Sequence, residues 1–76
     1  MTLKQIKNFI KKHGFYDIDN VYCYNTKSYF IDSDEVLGLY LDINTDTVYA
    51  YVINDKEETK FISLSEELLT DILLKK

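Results

Sequence analysis

The segment VLGLYLDINTDTVYAYVI, residues 36–53, constrains the fold of this chain more than any other part of the sequence. Aliphatic residues occupy alternate positions on both sides of a polar stretch, which is the period of a half-buried β-strand. These aliphatic positions are Leu37, Leu39, Leu41, Ile43, Val48, Ala50 and Val52. The positions between them include Tyr40, Tyr49 and Tyr51. The pattern predicts a β-hairpin with one aliphatic face and one tyrosine-rich face.

The register of this hairpin depends on its turn. A two-residue loop at positions 45–46 would place Leu41 opposite Ala50 on one face and Tyr40 opposite Tyr51 on the other. A bulge would instead shift the register by one residue and place tyrosines opposite leucines. We expect the symmetrical pairing, because it keeps the aliphatic side chains together.

The start of the chain predicts an α-helix. Thr2 and Gln5 have the spacing of a capping box, and residues 11–13, KKH, place cations where they complement the helix dipole. Gly14 suits a left-handed residue that ends the helix. The apolar side chains of one face are Leu3, Ile6, Phe9 and Ile10.

Residues 63–74, SLSEELLTDILL, predict a second amphipathic helix. Its cap is either Ser63, which has capping-box spacing to Glu66, or Ser65. Its apolar stripe consists of Leu68, Leu69, Ile72 and Leu73. Two lysines at 75–76 would complement the dipole at the end of this helix.

The middle of the chain adds further strands. Residues 21–31 are compatible with one bent strand or with a tight hairpin, and residues 59–62, TKFI, can add a fourth strand. We expect Tyr22 and Tyr24 on the tyrosine-rich face, with the residues that alternate with them, Val21 and Cys23, on the aliphatic face. The predicted fold class is α+β: residues 1–76 form a single small domain, α-β-β-β-(β)-α, with an antiparallel sheet flanked by N- and C-terminal helices.

The sequence contains no recognisable catalytic, cofactor or metal site. His13 is the single histidine and Cys23 the single cysteine, and the two have no spacing typical of zinc binding or of nucleophilic catalysis. The segment DSDEVLG, residues 32–38, departs from a calcium loop at its fifth position. No phosphate-binding glycine loop is present. We therefore expect a protein that is not an enzyme and binds no cofactor.

Charge is distributed unevenly. Residues 17–58 contain ten acidic residues and two lysines, a formal charge of −8, and the whole chain has no arginine. This balance disfavours direct contact with nucleic acid. No run of about 18 apolar residues and no signal-peptide pattern occurs, so we expect neither membrane insertion nor secretion and place the chain in the cytoplasm.

The tyrosine-rich face is the candidate binding surface. Tyrosine is enriched where proteins bind proteins, because it offers a large contact area and a polar tip at little cost in rotamer entropy. The alternatives are a purely structural face stabilised by cross-strand tyrosine pairs, the interface of a homodimer, and a base-stacking surface for RNA. The predicted partner-binding residues are Tyr22, Tyr24, Tyr40, Tyr49, Tyr51, Asp32, Asp34, Glu35, Asp42 and Asp46.

Residues 36–74 resemble the C-terminal half of the SUKH immunity superfamily. The segment LYLDINTDTVYAYVI, followed by a polar loop and SLSEELLTDILL, is similar to its strand with an aspartate, short turn, Val-Tyr strand and terminal amphipathic helix. This resemblance implies an immunity protein that binds and neutralises a toxin.

In outline the whole chain also resembles small acidic anti-CRISPR and other anti-defence proteins of phages that infect Gram-positive bacteria. The shared features are size, acidity and a sheet flanked by helices. This resemblance implies stoichiometric inhibition of a nuclease or defence effector by occlusion of its nucleic-acid-binding surface.

Overall fold

Short connections join neighbouring antiparallel strands along the chain, and the computed structural model, which describes residues 1–74, shows the resulting sheet. The strands lie side by side in the order β1-β2-β3-β4-β5, so each strand pairs with its neighbours in the sequence. A helix precedes the sheet and a second helix follows it. In chain order the elements are α1 (Leu3–His13), β1 (Phe15–Asp17), β2 (Val21–Ile31), β3 (Asp34–Asp42), β4 (Thr47–Ile53), β5 (Thr59–Ile62) and α2 (Glu66–Leu74). The predicted α+β class is confirmed.

Strand β1 was not expected from the sequence, whereas the optional strand β5 is present. The turn after β1 contains Asp19 and Asn20 with φ of 67° and 59°, a left-handed conformation that aspartate and asparagine tolerate better than most residues. The tight turn returns the chain beside Phe15–Asp17. The sheet therefore gains a fifth strand at its edge.

Strand β2 is one bent strand, which settles the choice left open by its sequence. It pairs with β3 along its length, with a shift of register between Asn25 and Tyr29. At its end, residues 32–33 form a turn in which Asp32 has a φ of 55°. Asp34 and Glu35, which follow this turn, begin strand β3.

The β3–β4 hairpin keeps the predicted faces but not the predicted pairing. Tyr40 lies opposite Tyr49 and Leu41 opposite Val48, because the connection has four residues, 43–46, and not two. Two hydrogen bonds and one left-handed residue characterise the longer loop. The Asn44 N–H donates to Asp42 Oδ1 at 2.9 Å, the Ile43 N–H donates to the Asn20 carbonyl at 2.9 Å, and Asp46 adopts a φ of 54°.

A bulge near the start of β3 interrupts the predicted alternation of side chains. The register shifts between Val36 and Gly38, so Leu37 is the extra residue. Val36 lies opposite Val52 and is buried, whereas Leu37 is only half-buried. The aliphatic face therefore continues through Val36.

Helix α1 has the predicted capping box and a different C-terminal geometry. The Gln5 N–H donates to Thr2 Oγ1 at 3.2 Å, and the Thr2 N–H donates to Gln5 Oε1 at 2.8 Å. Gly14 has a φ of −88°, so it is not left-handed. Glycine is needed there because a Cβ would collide with the backbone carbonyl of Cys23 on β2 and with that of Ile10.

Helix α2 is capped by Ser65, whose hydroxyl accepts the Leu68 N–H at 3.2 Å. Leu64, just before the cap, packs on the core with the buried Leu69, as a hydrophobic staple requires. Leu68 is partly exposed and marks the outer side of the predicted stripe. The two lysines at 75–76 lie outside the described residues.

Both helices pack on the aliphatic face of the sheet and contact each other. The Leu3 N–H donates to Glu66 Oε2 at 3.1 Å, and Thr70 Oγ1 donates to the Met1 carbonyl at 3.1 Å. The buried side chains of this single core are Ile6, Ile10, Val36, Leu39, Leu41, Val48, Ala50, Val52, Leu69, Ile72 and Leu73. The opposite side of the sheet, which we call the open face, carries neither helix.

Candidate functional site

Four rows of side chains form the open face, since cross-strand partners in an antiparallel sheet point to the same side. The central row is Phe15, Cys23, Tyr40 and Tyr49. The row nearest the β3–β4 loop is Asp17, Val21, Asp42 and Thr47. The third row is Asn25, Gly38, Tyr51 and Phe61. The fourth row is Phe30, Glu35, Ile53 and Thr59.

Aromatic rings contact one another across these rows. The rings of Tyr51 and Phe61 have centroids 4.8 Å apart, and Tyr40 lies 5.2 Å from Phe61 and 5.9 Å from Tyr51 in edge-on contacts. We call these three residues the open-face aromatic cluster. Phe61 remains 55% exposed although it is an apolar side chain within the cluster. Such tilted and edge-on contacts hold the rings in place without covering them.

Tyr40 is also the cross-strand neighbour of Cys23 in the central row. Burial is the main cause that raises the pKa of Cys23, the charge of Asp17 raises it further, and a hydrogen bond with Tyr40 partly opposes both. Burial is likewise the main cause that raises the pKa of Tyr40. The cysteine is therefore a neutral, enclosed thiol at pH 7 and has no features of a nucleophile.

Tyr22 and Tyr24 do not belong to the open face, which corrects the prediction for both residues. They lie opposite Leu41 and Leu39 and pack against the core on the helix side. The Tyr24 ring makes an edge-on contact with Phe9 of α1, with centroids 5.4 Å apart. Side chains alternate along β2 as predicted. The pairing of β2 with β3, however, turns each of these side chains to the face opposite to the expected one.

The residues that alternate with those tyrosines, Val21 and Cys23, consequently face the open side. Val21 lies opposite Asp42, and Cys23 opposite Tyr40. The residue composition of the open face therefore differs from the prediction. It combines three of the five predicted tyrosines with residues that the sequence had assigned to the core.

The predicted acidic residues are divided among four places. Asp42 and Glu35 lie on the open face, where Glu35 is opposite Ile53. Asp34 is opposite Ile31, on the helix side. Asp32 occupies the left-handed position of the β2–β3 turn, and Asp46 forms an ion pair with Lys7 of α1 at 2.9 Å.

Several contributors to the open face were missed, including Phe30, which lies opposite Glu35 and is 59% exposed. The position of Phe61 on the open face can be predicted from the alternation of TKFI, provided that this segment pairs with β4. Phe15 and Asp17 belong to the unexpected strand β1 and had no comparable signal. At the paired sheet positions within residues 1–74, the open face carries the carboxylates of Asp17, Glu35 and Asp42 and no lysine.

Comparison of the chain with protein-family models, with curated proteins and with solved structures gave no match. Across residues 1–74, no three His, Cys, Asp or Glu side chains are grouped so that they could hold a metal ion. No helix in the same range has the length and apolar character needed to cross a membrane.

Proposed function

We propose that this chain is a small protein-binding inhibitor without enzymatic activity, and that the open face binds its partner. In this proposal the partner is a nuclease or other defence effector, and binding occludes its nucleic-acid-binding surface. The chain would act in the bacterial cytoplasm and be encoded by a phage or mobile element. One observation carries the proposal: the side of the sheet opposite the helices presents contacting, exposed aromatic rings beside carboxylates.

The aromatic cluster supports a binding role more than a purely structural one. A structural tyrosine face needs only cross-strand pairs, which contribute roughly 0.2–1 kcal/mol each. Here the cluster ends in Phe61, an apolar ring on an edge strand with more than half of its surface exposed. Tyrosine and phenylalanine clustered in this way are typical of the centre of a protein–protein interface.

The charge of the open face favours a basic partner. The carboxylates of Asp17, Glu35 and Asp42 share a surface on which the paired positions within residues 1–74 hold no lysine. Phosphate groups would be repelled by this surface, which disfavours RNA, and a second copy would present the same charges to it. A basic groove that normally holds nucleic acid is attracted instead, and such attraction also speeds association.

Helix α1, near the start of the chain, carries charge of the opposite sign. Lys4, Lys7, Lys11 and Lys12 lie on α1, behind the sheet as seen from the open face. The open face is therefore negative, whereas α1 is positive. Electrostatic attraction would turn the open face, and not α1, toward a basic surface.

Capture experiments test this proposal. We would immobilise the wild-type chain, a Tyr51→Ser/Phe61→Ser variant and a Lys4→Gln/Lys11→Gln control, each verified as folded by circular dichroism. After incubation with lysate of a Gram-positive bacterium, we expect a basic nucleic-acid-binding protein on the wild-type and control baits and its loss from the open-face variant. DNA or RNA should displace the chain from that protein, and the chain should inhibit its nuclease or binding activity.

Three results would contradict the proposal. If the open-face variant captures the partner as well as the wild-type chain does, the interface lies elsewhere. If sedimentation shows that the wild-type chain is a dimer and that the same variant is a monomer, the open face mediates self-association. Inhibition of a toxin with no competing nucleic acid would favour the alternative function, an immunity protein.

A further inference from the structure

A concavity of about 310 Å³ lies in the open face beside the aromatic cluster. Its lining consists of Val21, Tyr40, Asp42, Tyr49 and Phe61. Three of these side chains are aromatic rings and one is a carboxylate. The combination of aromatic walls with a single negative charge is the chemistry that binds an organic cation.

Asp42 is held in a defined position within this lining. Its Oδ1 accepts the backbone N–H of Asn44 at 2.9 Å, which fixes the carboxylate against the β3–β4 loop. Its Oδ2 accepts no hydrogen bond from any of residues 1–74, and the residue is half-buried. One carboxylate oxygen is thus restrained and the other is available to a donor from outside.

We propose that this concavity binds the guanidinium group of an arginine side chain that projects from a protein partner. The guanidinium plane packs on the aromatic rings of Tyr49 and Phe61 and donates N–H groups to Asp42 Oδ2. This inference rests on the proposed function and names the partner group that the open face recognises. The occupant is an arginine side chain, and charge complementarity with Asp42 is the reason.

Arginine fits this lining better than lysine for two physical reasons. Its guanidinium is planar and weakly hydrated, so it stacks on an aromatic ring with a smaller desolvation cost than an ammonium group. Its N–H donors also have the fork geometry that suits a carboxylate. A lysine ammonium would satisfy Asp42 but would use the flat walls of Tyr49 and Phe61 less well.

An arginine site would also explain how the chain selects a nucleic-acid-binding surface. Arginine side chains on such surfaces contact phosphate oxygens. If one of them is inserted into the concavity, Asp42 takes the place of the phosphate and the rings exclude water from the contact. The bound arginine is then no longer available to nucleic acid.

The test is a titration of the isolated chain followed by ¹H–¹⁵N NMR, with N-acetyl-arginine methylamide as the probe. Ionic strength is kept constant, and the lysine and citrulline analogues are titrated in parallel. We expect saturable shifts at the amides of Tyr40, Asp42, Tyr49 and Phe61 with a dissociation constant on the order of 10 mM. The lysine analogue should bind more weakly, and the uncharged citrulline analogue should cause no saturable shift.

A matched pair of variants completes the experiment. Asp42→Asn retains an Oδ1 acceptor for Asn44 and removes the charge, so the loop should persist while arginine binding weakens by about tenfold. Asp55→Asn makes the same change in charge in the β4–β5 connection and should bind the probe normally. Absence of saturable binding, equal binding of citrulline, stronger binding of lysine or unchanged binding by Asp42→Asn would overturn the proposal. Because no partner protein is present, these outcomes are independent of the capture experiments.

Discussion

The phenolic hydroxyl of Tyr29 on β2 donates a hydrogen bond to Oδ2 of Asp71 on α2 at 2.5 Å, which ties the last helix to the second strand. The two residues are 42 positions apart in the sequence. Tyr29 lies opposite the buried Val36, so this bond forms on the helix side of the sheet. It helps to keep α2 away from the open face.

Loss of this bond should weaken the docking of α2. We expect Tyr29→Phe to lower the free energy of unfolding by about 1 kcal/mol, because the ring remains and a partly exposed hydrogen bond is removed. Urea denaturation would measure the change. Asp71→Asn serves as the second arm of a double-mutant cycle, and strictly additive effects of the two substitutions would show that the bond contributes nothing.

The same bond predicts a dependence of stability on alkaline pH. The hydrogen bond to Asp71 is the main cause that raises the pKa of Tyr29 above its ordinary value of 10.0, and burial is the main cause for Tyr40. The folded state therefore holds these protons more tightly than the unfolded state. The resulting stabilisation is complete below pH 10 and is lost as the pH rises through the folded-state pKa values.

Chemical denaturation between pH 8 and about pH 11 would measure this loss. The wild-type chain should become progressively less stable above about pH 9, first through the thiol of Cys23, whose pKa is also raised from 9.0, and then through the two tyrosines. Tyr29→Phe and Tyr40→Phe should each give a shallower slope in that range, because each removes a titrating group. A slope identical to that of the wild type in both variants would refute the assignment.

Much of this architecture follows from local patterns in the sequence. The capping box at Thr2 and Gln5, the aliphatic face of β3 and β4, and the stripe of α2 depend on neighbours a few residues apart. The alignment of β2 with β3 does not. A shift of one residue exchanges the faces of Tyr22 and Cys23 while leaving the alternation of the strand unchanged.

The turn and bulge geometries were equally difficult to foresee. The β3–β4 loop owes its length to a carboxylate at Asp42 and to a contact with Asn20, which comes from a distant turn. The candidate site therefore combines three predicted tyrosines and Asp42 with residues from β1, β2 and β5. Only the three-dimensional pairing of the strands brings this set together.

The two glycines should respond differently to alanine. At Gly14 a Cβ would lie 2.6 Å from the Ile10 carbonyl oxygen and even closer to that of Cys23, and neither backbone can move easily. At Gly38 the nearest atom would be the Tyr24 carbonyl oxygen at 3.1 Å. We expect Gly14→Ala to cost about 3 kcal/mol and Gly38→Ala about 1 kcal/mol.

Thermal and urea unfolding would measure both variants. Because a domain of this size has only a few kcal/mol of stability, Gly14→Ala should be largely unfolded at room temperature. A Gly14→Ala protein as stable as Gly38→Ala would contradict the close approach of β2 to the end of α1.

The β4–β5 connection contains a position where glycine should stabilise the fold. Glu57 has a φ of 63°, and its interaction with Asn54 is made by its backbone N–H at 3.1 Å. We expect Glu57→Gly to raise the free energy of unfolding by about 0.5 kcal/mol, since glycine adopts this conformation without strain. Glu58→Gly is the matched control and should destabilise by about 1 kcal/mol, because Glu58 Oε1 accepts a hydrogen bond from Asn54 Nδ2 at 2.9 Å. Equal effects in urea denaturation would contradict the strained backbone at Glu57.

The thiol of Cys23 should report on the integrity of the open face. It is 97% buried (3% relative exposure), and its pKa is raised mainly by burial. At pH 8 we expect reaction with a disulfide reagent to be at least ~100-fold slower than in denaturant, because attack requires local opening. Tyr40→Ala should accelerate labelling of the folded protein, whereas Tyr24→Ala, on the other face, should act only through global stability. Fast labelling of the wild type would show that the thiol is not buried.

Hydroxyl-radical footprinting of the chain alone, and in complex with the partner isolated by capture, tests most directly whether the open face is the binding surface. If the open face is the binding surface, Tyr49, Tyr51 and Phe61 should be protected in the complex. Ile18 in the β1–β2 turn and Leu74 on α2, which are exposed in the free chain, should react as before. Protection of Leu74 with unchanged reactivity of Phe61 and Tyr51 would show that the partner binds the helical side and would contradict the account.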